Sequence, residues 1–363
     1  MHSNGVLEIL REEIARWRVF QADIPFISFI TSPPVLLSTF PTLSSLILDL
    51  TLARDLAGVD LYLSGSTQLT SYKQISGPKI DVHFSKSKLK SFHMVFANLS
   101  LLPRLSQATY LEELHIEDSA QAQLDPSLSS SSPIILPSLR SMTIKEYSRS
   151  HSPRLVKSLL ECICAPALNS LHVACYGTTM GPLPMLHNPD VLTHFVLLHI
   201  SDDGDEEADS NAVLEFLRST RNVESFTLNC GEVLTESIIR ALHIDDELDT
   251  APDNILLPRL SRLQLDDDSE ILEESPSDVV RMVVSRGLCY ASGRDVAWCA
   301  IAVSEGQVVH LKHEEIWESV KREFEQSSKW GNFDTLIQDG RPLFIDDGKL
   351  IPPIDIYSAE DIF

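Results

Sequence analysis

The run Phe40-Pro41-Thr42-Leu43-Ser44-Ser45-Leu46-Ile47-Leu48 sets an apolar residue, a proline and a series of apolar positions at fixed offsets. The same offsets return in residues 136–144 (LPSLRSMTI), 165–173 (APALNSLHV) and 257–265 (LPRLSRLQL). The shared pattern is apolar-Pro-x-Leu-x-x-apolar-x-apolar. With about a third of positions strongly apolar and about one proline in twenty, chance supplies well under one such match in a chain of this length. The copies are therefore an internal repeat. The last two apolar positions are two residues apart, so in a strand they share a face and the residue between them looks the other way. The proline ends whatever precedes it and biases its neighbour toward extended geometry. Each copy thus predicts a corner followed by a short strand. One such strand cannot bury its apolar side alone, and stacking successive copies in parallel creates a core.

Copies without the proline are Ile14-x-x-Trp17-x-Val19, Leu89-x-x-Phe92-x-Met94, Leu111-x-x-Leu114-x-Ile116, Leu192-x-x-Phe195-x-Leu197 and Val223-x-x-Phe226-x-Leu228. First positions at 89, 111, 139, 168, 192, 223 and 260 give steps of 22, 28, 29, 24, 31 and 37. Most lie near the 20–29 residues of leucine-rich repeats. The step of 46 from Leu43 to Leu89 predicts one degenerate copy, near Leu61 or Leu69. Helical spacing appears between strands: Leu155, Val156, Leu159, Leu160 and Ile163 in 153–164, with Ser152 as N-cap and Pro153 at the first position. It recurs in 211–220, in 235–243 with Thr235 as cap, and in 277–286. Alternating strands and helices favour parallel pairing through right-handed crossovers. The expected fold is α/β, a leucine-rich-repeat-like solenoid: a curved parallel sheet with helices or irregular loops on the convex side. Residues 1–38 read as an entry and capping segment, 39–268 as irregular repeats, 269–348 as a capping strand (296–303) and helix (314–327), and 349–363 as a loose tail.

Charge narrows the partner classes. The 363 residues carry 52 acids against 29 bases, a net charge of −23. That balance excludes nucleic acid and anionic membrane surfaces as expected partners. No run of apolar residues is long enough to span a bilayer, and the first residues lack a secretory signal. Cys162, Cys164, Cys175, Cys230, Cys289 and Cys299 include no Cys-x-x-Cys pair, and Cys162-x-Cys164 falls on an expected amphipathic helix. They read as small core residues of a reduced, intracellular protein, cytoplasmic or nuclear, with no metal or cofactor implied.

No nucleophile elbow, phosphate-binding loop, dinucleotide fingerprint or His-Glu-x-x-His motif occurs. An enzyme is the distant alternative, and a paired histidine and carboxylate deep in a pocket would be its mark. Two surfaces are candidates for protein binding. The first is the row between the paired apolar positions: Arg18, Ile47, His93, His115, Thr143, His172, Val196, Thr227 and Gln264. His93 and His115 are expected strand neighbours about 4.8 Å apart; with no acid in that row to complete a ligand set, ordinary exposed polar residues are the expected reading. The second is an acidic rim of post-strand loops, with Asp202, Asp203 and Asp205 in one run, Asp266, Asp267 and Asp268 in another, and Glu117-Asp118 in a third. Such a rim would suit a basic partner.

The repeats, the Arg16-Trp17 dipeptide after a helix beginning near Ile9, and the late run Asp278-Val279-Val280-Arg281-Met282-Val283-Val284-Ser285-Arg286 together resemble the leucine-rich region of fungal, mushroom-type F-box-like proteins. The resemblance implies a non-catalytic interaction module that recognises substrates for a ubiquitin ligase. In that family an F-box precedes the repeats and binds the cullin adaptor. Here the expectation is either that an upstream F-box is missing from this sequence or that the adaptor contact is lost, leaving a scaffold without a ligase role. The asparagine that closes many regular leucine-rich turns is mostly absent, so the corners must be closed differently.

Overall fold

The computed structural model describes residues 16–22, 42–49, 59–62, 68–75, 80–83, 88–95, 102–119, 133–147, 155–177, 182–200, 206–244, 254–265, 271–303, 314–326, 343–346 and 349–351. Ser152 and the 349–363 tail beyond Ile351 lie outside them, as does the helix expected near Ile9. The chain divides into two compact units, one of 1–170 with 186–188, the other of 171–185 with 189–363.

In the first unit the strands are β1 (Val19–Ala22), β2 (Ser45–Asp49), β3 (Val59–Tyr62), β4 (Ser71–Ile75), β5 (Ile80–His83), β6 (Ser91–Val95), β7 (Glu113–Ser119), β8 (Ile134–Ile135), β9 (Ser141–Tyr147) and β10 (Ile163–Cys164). Helices α1 (Leu102–Leu105) and α2 (Leu155–Cys162) lie among them. The main sheet runs β1-β2-β4-β6-β7-β9, and every pairing in it is parallel. Strand β3 pairs with β5 and β8 with β10, also in parallel. The second unit holds β11 (Ser170–Tyr176), β12 (His194–Ile200), α3 (Glu206–Ser219), β13 (Ser225–Cys230), α4 (Glu232–Leu242), β14 (Arg262–Leu265), α5 (Ile271–Glu274), α6 (Pro276–Ala291), β15 (Ala300–Val303), α7 (Glu314–Gln326), β16 (Phe344–Asp346) and β17 (Lys349–Ile351). Its sheet follows chain order from β11 to β17; β12 through β16 pair in parallel and β17 returns antiparallel on β16. Each unit is therefore α/β with parallel strands laid down one coil at a time.

The repeated phrase closes a four-residue turn. The Leu139 N–H donates to Leu136 C=O (3.3 Å), Leu168 to Ala165 (3.1 Å) and Leu260 to Leu257 (3.0 Å). Proline sits at the second turn position, where its fixed φ is an advantage and its missing N–H costs nothing. The next step is also shared between coils. Two consecutive N–H groups donate to one carbonyl of the preceding coil: Thr70 and Ser71 to Ser44 (2.9 and 3.0 Å), Lys90 and Ser91 to Thr70 (2.8 and 2.9 Å), Glu112 and Glu113 to Lys90 (2.7 and 2.8 Å). In the second unit, Glu224 and Ser225 share Thr193, and Ser261 and Arg262 share Glu224. A carbonyl has two lone pairs, so one acceptor satisfies both donors. The corner needs no asparagine because backbone alone completes it. Ser138 and Asn222 reinforce it, each donating from its side chain to the preceding coil, at Thr109 C=O (2.8 Å) and Asp190 C=O (2.7 Å).

Below each corner, three columns are sealed. Leu43, Leu69, Leu89, Leu111 and Leu139 fill the first; Leu46, Tyr72, Phe92, Leu114 and Met142 the second; Leu48, Gln74, Met94, Ile116 and Ile144 the third, all at most 2% exposed. The second column stacks aromatics in register: Tyr72 on Phe92 (5.6 Å between centroids) and, in the second unit, Phe195 on Phe226 (5.4 Å), with Phe216 of α3 beside Phe195 (5.1 Å).

Several expectations change. The degenerate coil is Leu69-x-x-Tyr72-x-Gln74, hidden because its third position is polar. Tyr72 Oη donates to Gln74 Oε1 at 2.9 Å inside the core, and burial raises the Tyr72 hydroxyl far above its ordinary pKa. The first strand starts later than expected: Phe20, not Val19, is buried and pairs with Leu46, and Trp17 stacks on it at 5.1 Å. The Val19 side chain is 63% exposed. Helix α2 stops at Cys162, so Cys164 lies on β10 rather than on the helix. Buried Glu146 on β9 accepts the Val156 N–H (3.2 Å) in the first turn of α2. Thr235 is inside α4, its hydroxyl donating to Cys230 C=O (3.1 Å), and Gly231 is the cap. The strand expected over 296–303 begins at Ala300, because the Ala297 N–H is taken by Pro258 C=O (2.7 Å). Lys349–Ile351 of the tail forms the edge strand β17.

Arg286, at the end of the late motif, is fully buried on α6. It donates to Leu242 (3.3 Å), Leu256 (3.1 Å) and Leu257 (2.5 Å) carbonyls, holding Leu257 at a left-handed φ of 46°. Burial pulls its pKa down. Three carbonyls thus take the place of a carboxylate partner in a loop that an unaided leucine would avoid.

The Tyr72–Gln74 pair makes a direct prediction. Gln74→Leu should destabilise the protein by about 1–3 kcal/mol by orphaning a buried hydroxyl, whereas Tyr72→Phe combined with Gln74→Leu should lie within about 1 kcal/mol of wild type. Urea denaturation of the two single variants and the double variant reads this out, and strict additivity would refute the coupling.

Candidate functional site: the half-exposed sheet rows

Opposite the sealed columns, alternate residues of most strands remain partly or wholly exposed; β15 is the exception, buried along its whole length. Strands β2, β4 and β6 alternate regularly between half-exposed and buried positions. In the first unit the central row reads Gln21, Ile47, Lys73, His93, His115 and Thr143, each in register with the next. Three of the expected site residues, His93, His115 and Thr143, are thereby direct cross-strand neighbours. Two members change. Gln21 replaces Arg18, because the first strand is set by Phe20, and Lys73 enters with the hidden coil. In the second unit Val196, Thr227, Gln264 and Ala302 are in register, so Thr227 and Gln264 also adjoin. His172 lies on β11 of that unit. Asp202, Asp203, Asp205, Asp266, Asp267 and Asp268 lie outside the described residues.

The acids Glu117 and Asp118 are not in a rim loop. Strand β7 runs for seven residues and includes both. Two residues beyond His115, Glu117 falls on the same side of the strand, and its Oε2 reaches His115 Nε2 at 3.5 Å. The ligand set that the central row alone lacks is therefore completed from the adjoining row. The signal was the His115-x-Glu117 spacing, legible only once β7 is known to continue past Ile116. The His93 and His115 rings are 3.8 Å apart between centroids and tilted by 46°. Both Nε2 atoms are shielded from solvent without a hydrogen-bond partner. The Glu117 contact is long for a hydrogen bond, yet it is the largest influence opposing burial at His115.

Burial is the main force on these rings. It holds His93 down at about 4, with His115, Lys73 and Lys145 adding repulsion. Burial also lowers His115, while Glu117 partly opposes it. Lys73 is the register mate of His93, and Lys145 that of Glu117. Both imidazoles are thus neutral near pH 7, with lone pairs available.

A second histidine–carboxylate pair occurs in the other unit. His199 Nε2 on β12 lies 3.3 Å from Asp209 Oδ2 on α3, with side chains 2% and 1% exposed. Sealed this way, the pair gives a substrate no approach and ties a helix to its strand. All six cysteines are free thiols; burial raises Cys299 to about 11, which suppresses its thiolate. Among the described residues no helix is long and apolar enough to cross a membrane.

Fold and site together define an α/β coil-repeat protein with open sheet rows, one of which carries a histidine pair. No family model matches the chain, and no curated protein matches its sequence.

The depressed histidines predict a pH response. The unfolded state takes up protons near the ordinary value of 6.5, and folded His93 only near 4. Stability should therefore be full above about pH 6.5 and fall as pH drops through that window. Ring-proton NMR titration should show His93 still neutral at pH 5.5; a midpoint near 6.5 would contradict the burial argument.

Proposed function

We propose that the protein is a non-catalytic binding module of the leucine-rich-repeat type, and that its half-exposed sheet rows recognise a protein partner. The observation that carries this reading is the division of strands β2, β4, β6, β7, β9, β12, β13 and β14 into a sealed side and an open side. The open side combines Ile47, Lys73, His93, His115 and Thr143 in one unit and Val196, Thr227 and Gln264 in the other. Such mixed apolar and polar rows on rigid strands suit a macromolecular surface. With Leu69 included, first positions at 43, 69, 89, 111, 139 and 168 give steps of 26, 20, 22, 28 and 29, within the leucine-rich range. On the resemblance of the repeats and the 278–286 run to F-box-like proteins, the partner is a substrate for ubiquitination, met inside the cell.

Affinity purification with Thr143→Arg and, separately, Thr227→Arg/Gln264→Arg tests the binding surface, with Glu215→Arg on the exposed side of α3 as control. Loss of the same captured proteins by at least about tenfold in a row variant, but not in the control, is expected. Identical capture by all chains would refute the surface. Co-purification of a cullin adaptor with the full-length protein is the separate expectation for ligase membership; a row-dependent partner without the adaptor would leave the binding module and remove the ligase role.

A further inference from the structure

The histidine pair supports an inference independent of the interaction reading. One ring nitrogen from His93, one from His115 and a carboxylate oxygen from Glu117 all lie within 4.8 Å of one another. Three ligands about 2.0–2.2 Å from a tetrahedral ion would stand roughly 3.3–3.5 Å apart. His115 Nε2 and Glu117 Oε2 are already 3.5 Å apart. The remaining separations are at most 4.8 Å, between side chains on adjacent strands. We propose that His93, His115 and Glu117 form a three-ligand site for a divalent transition metal of the zinc class, with a fourth position open to water.

Three observations converge on it. The two Nε2 atoms are shielded and lack hydrogen-bond partners, an arrangement that costs stability unless something binds there. Two imidazoles with one carboxylate match zinc, cobalt, nickel and copper rather than calcium or magnesium, which take oxygen ligands. The ligands sit on two hydrogen-bonded strands, so their spacing is set by the sheet rather than by a loop. Lys73 and Lys145 work against a cation. Their charge should limit affinity rather than abolish it, and that opposition supplies a discriminating variant.

Zinc titration of the full chain, stripped with chelator and read by competition with a chromophoric chelator, should show one equivalent bound at micromolar Kd or tighter. His93→Ala, His115→Ala and Glu117→Gln should each weaken binding at least about tenfold, with the metal-free proteins remaining folded. Lys73→Met should tighten it severalfold. Cobalt should give the visible absorption of a four-coordinate nitrogen–oxygen site. In wild-type protein, where no variant has to fold, the His93 and His115 ring protons should shift on zinc addition. Zinc affinity unaffected by His93→Ala and His115→Ala, or unmoved wild-type ring resonances at saturating zinc, would overturn the proposal.

Discussion

One carbonyl accepting two successive N–H groups from the next coil is the constraint on which the rest of the molecule depends. It fixes where each strand starts relative to its predecessor, so Leu43, Leu69, Leu89, Leu111 and Leu139 fall into one column and everything after them follows in register. A slip of one residue would turn every side chain to the opposite face. Because the corner is made from backbone, the residues that donate, such as Ser44, Thr70, Lys90, Glu112 and Arg140, are chemically unrestricted. Prolines at 137, 166 and 258 favour the turn without being essential to it: Ala108–Leu111 and Thr220–Val223 close in the same way without them.

The same constraint creates the open rows. Since the sealed columns take every second residue, what stands between them is free of packing duty yet held at strand spacing. In the first unit that freedom is spent on Lys73, His93, His115 and Glu117, which lie close enough to perturb one another. The second unit's row runs from Val196 through Thr227 and Gln264 to the buried Ala302, and His172 on β11 is its titratable member. The same unit also buries polar groups in the Arg286 clamp and the His199–Asp209 pair, where they hold helices and loops to the sheet.

The strands led by Leu89, Leu111, Leu139, Val223 and Leu260 were legible because burial demands an apolar residue at each of three offsets. The coil at Leu69 was legible only as a gap in the spacing, near Leu61 or Leu69: Gln74 occupies an apolar column, and Tyr72 beside it makes that tolerable. Trp17 misled in the opposite sense, since a large apolar residue at the corner resembles one in the strand. Helix limits failed where tertiary hydrogen bonds outcompete local propensity, as at Thr235, whose hydroxyl turns to Cys230 instead of capping. The site was half legible. His93 and His115 follow from the row, but Glu117 required the true length of β7.

What the sequence determined by itself is the existence of the repeat, its parallel direction and the sorting of residues between a sealed and an open side. These follow from periodicity, which is local. Tertiary structure decided which residues meet: the polar pair hidden in a core column, the buried arginine that steadies a strained loop, and the carboxylate that joins two histidines. Those depend on register between segments distant in the chain, and register is set by hydrogen bonds and close packing that no single segment contains.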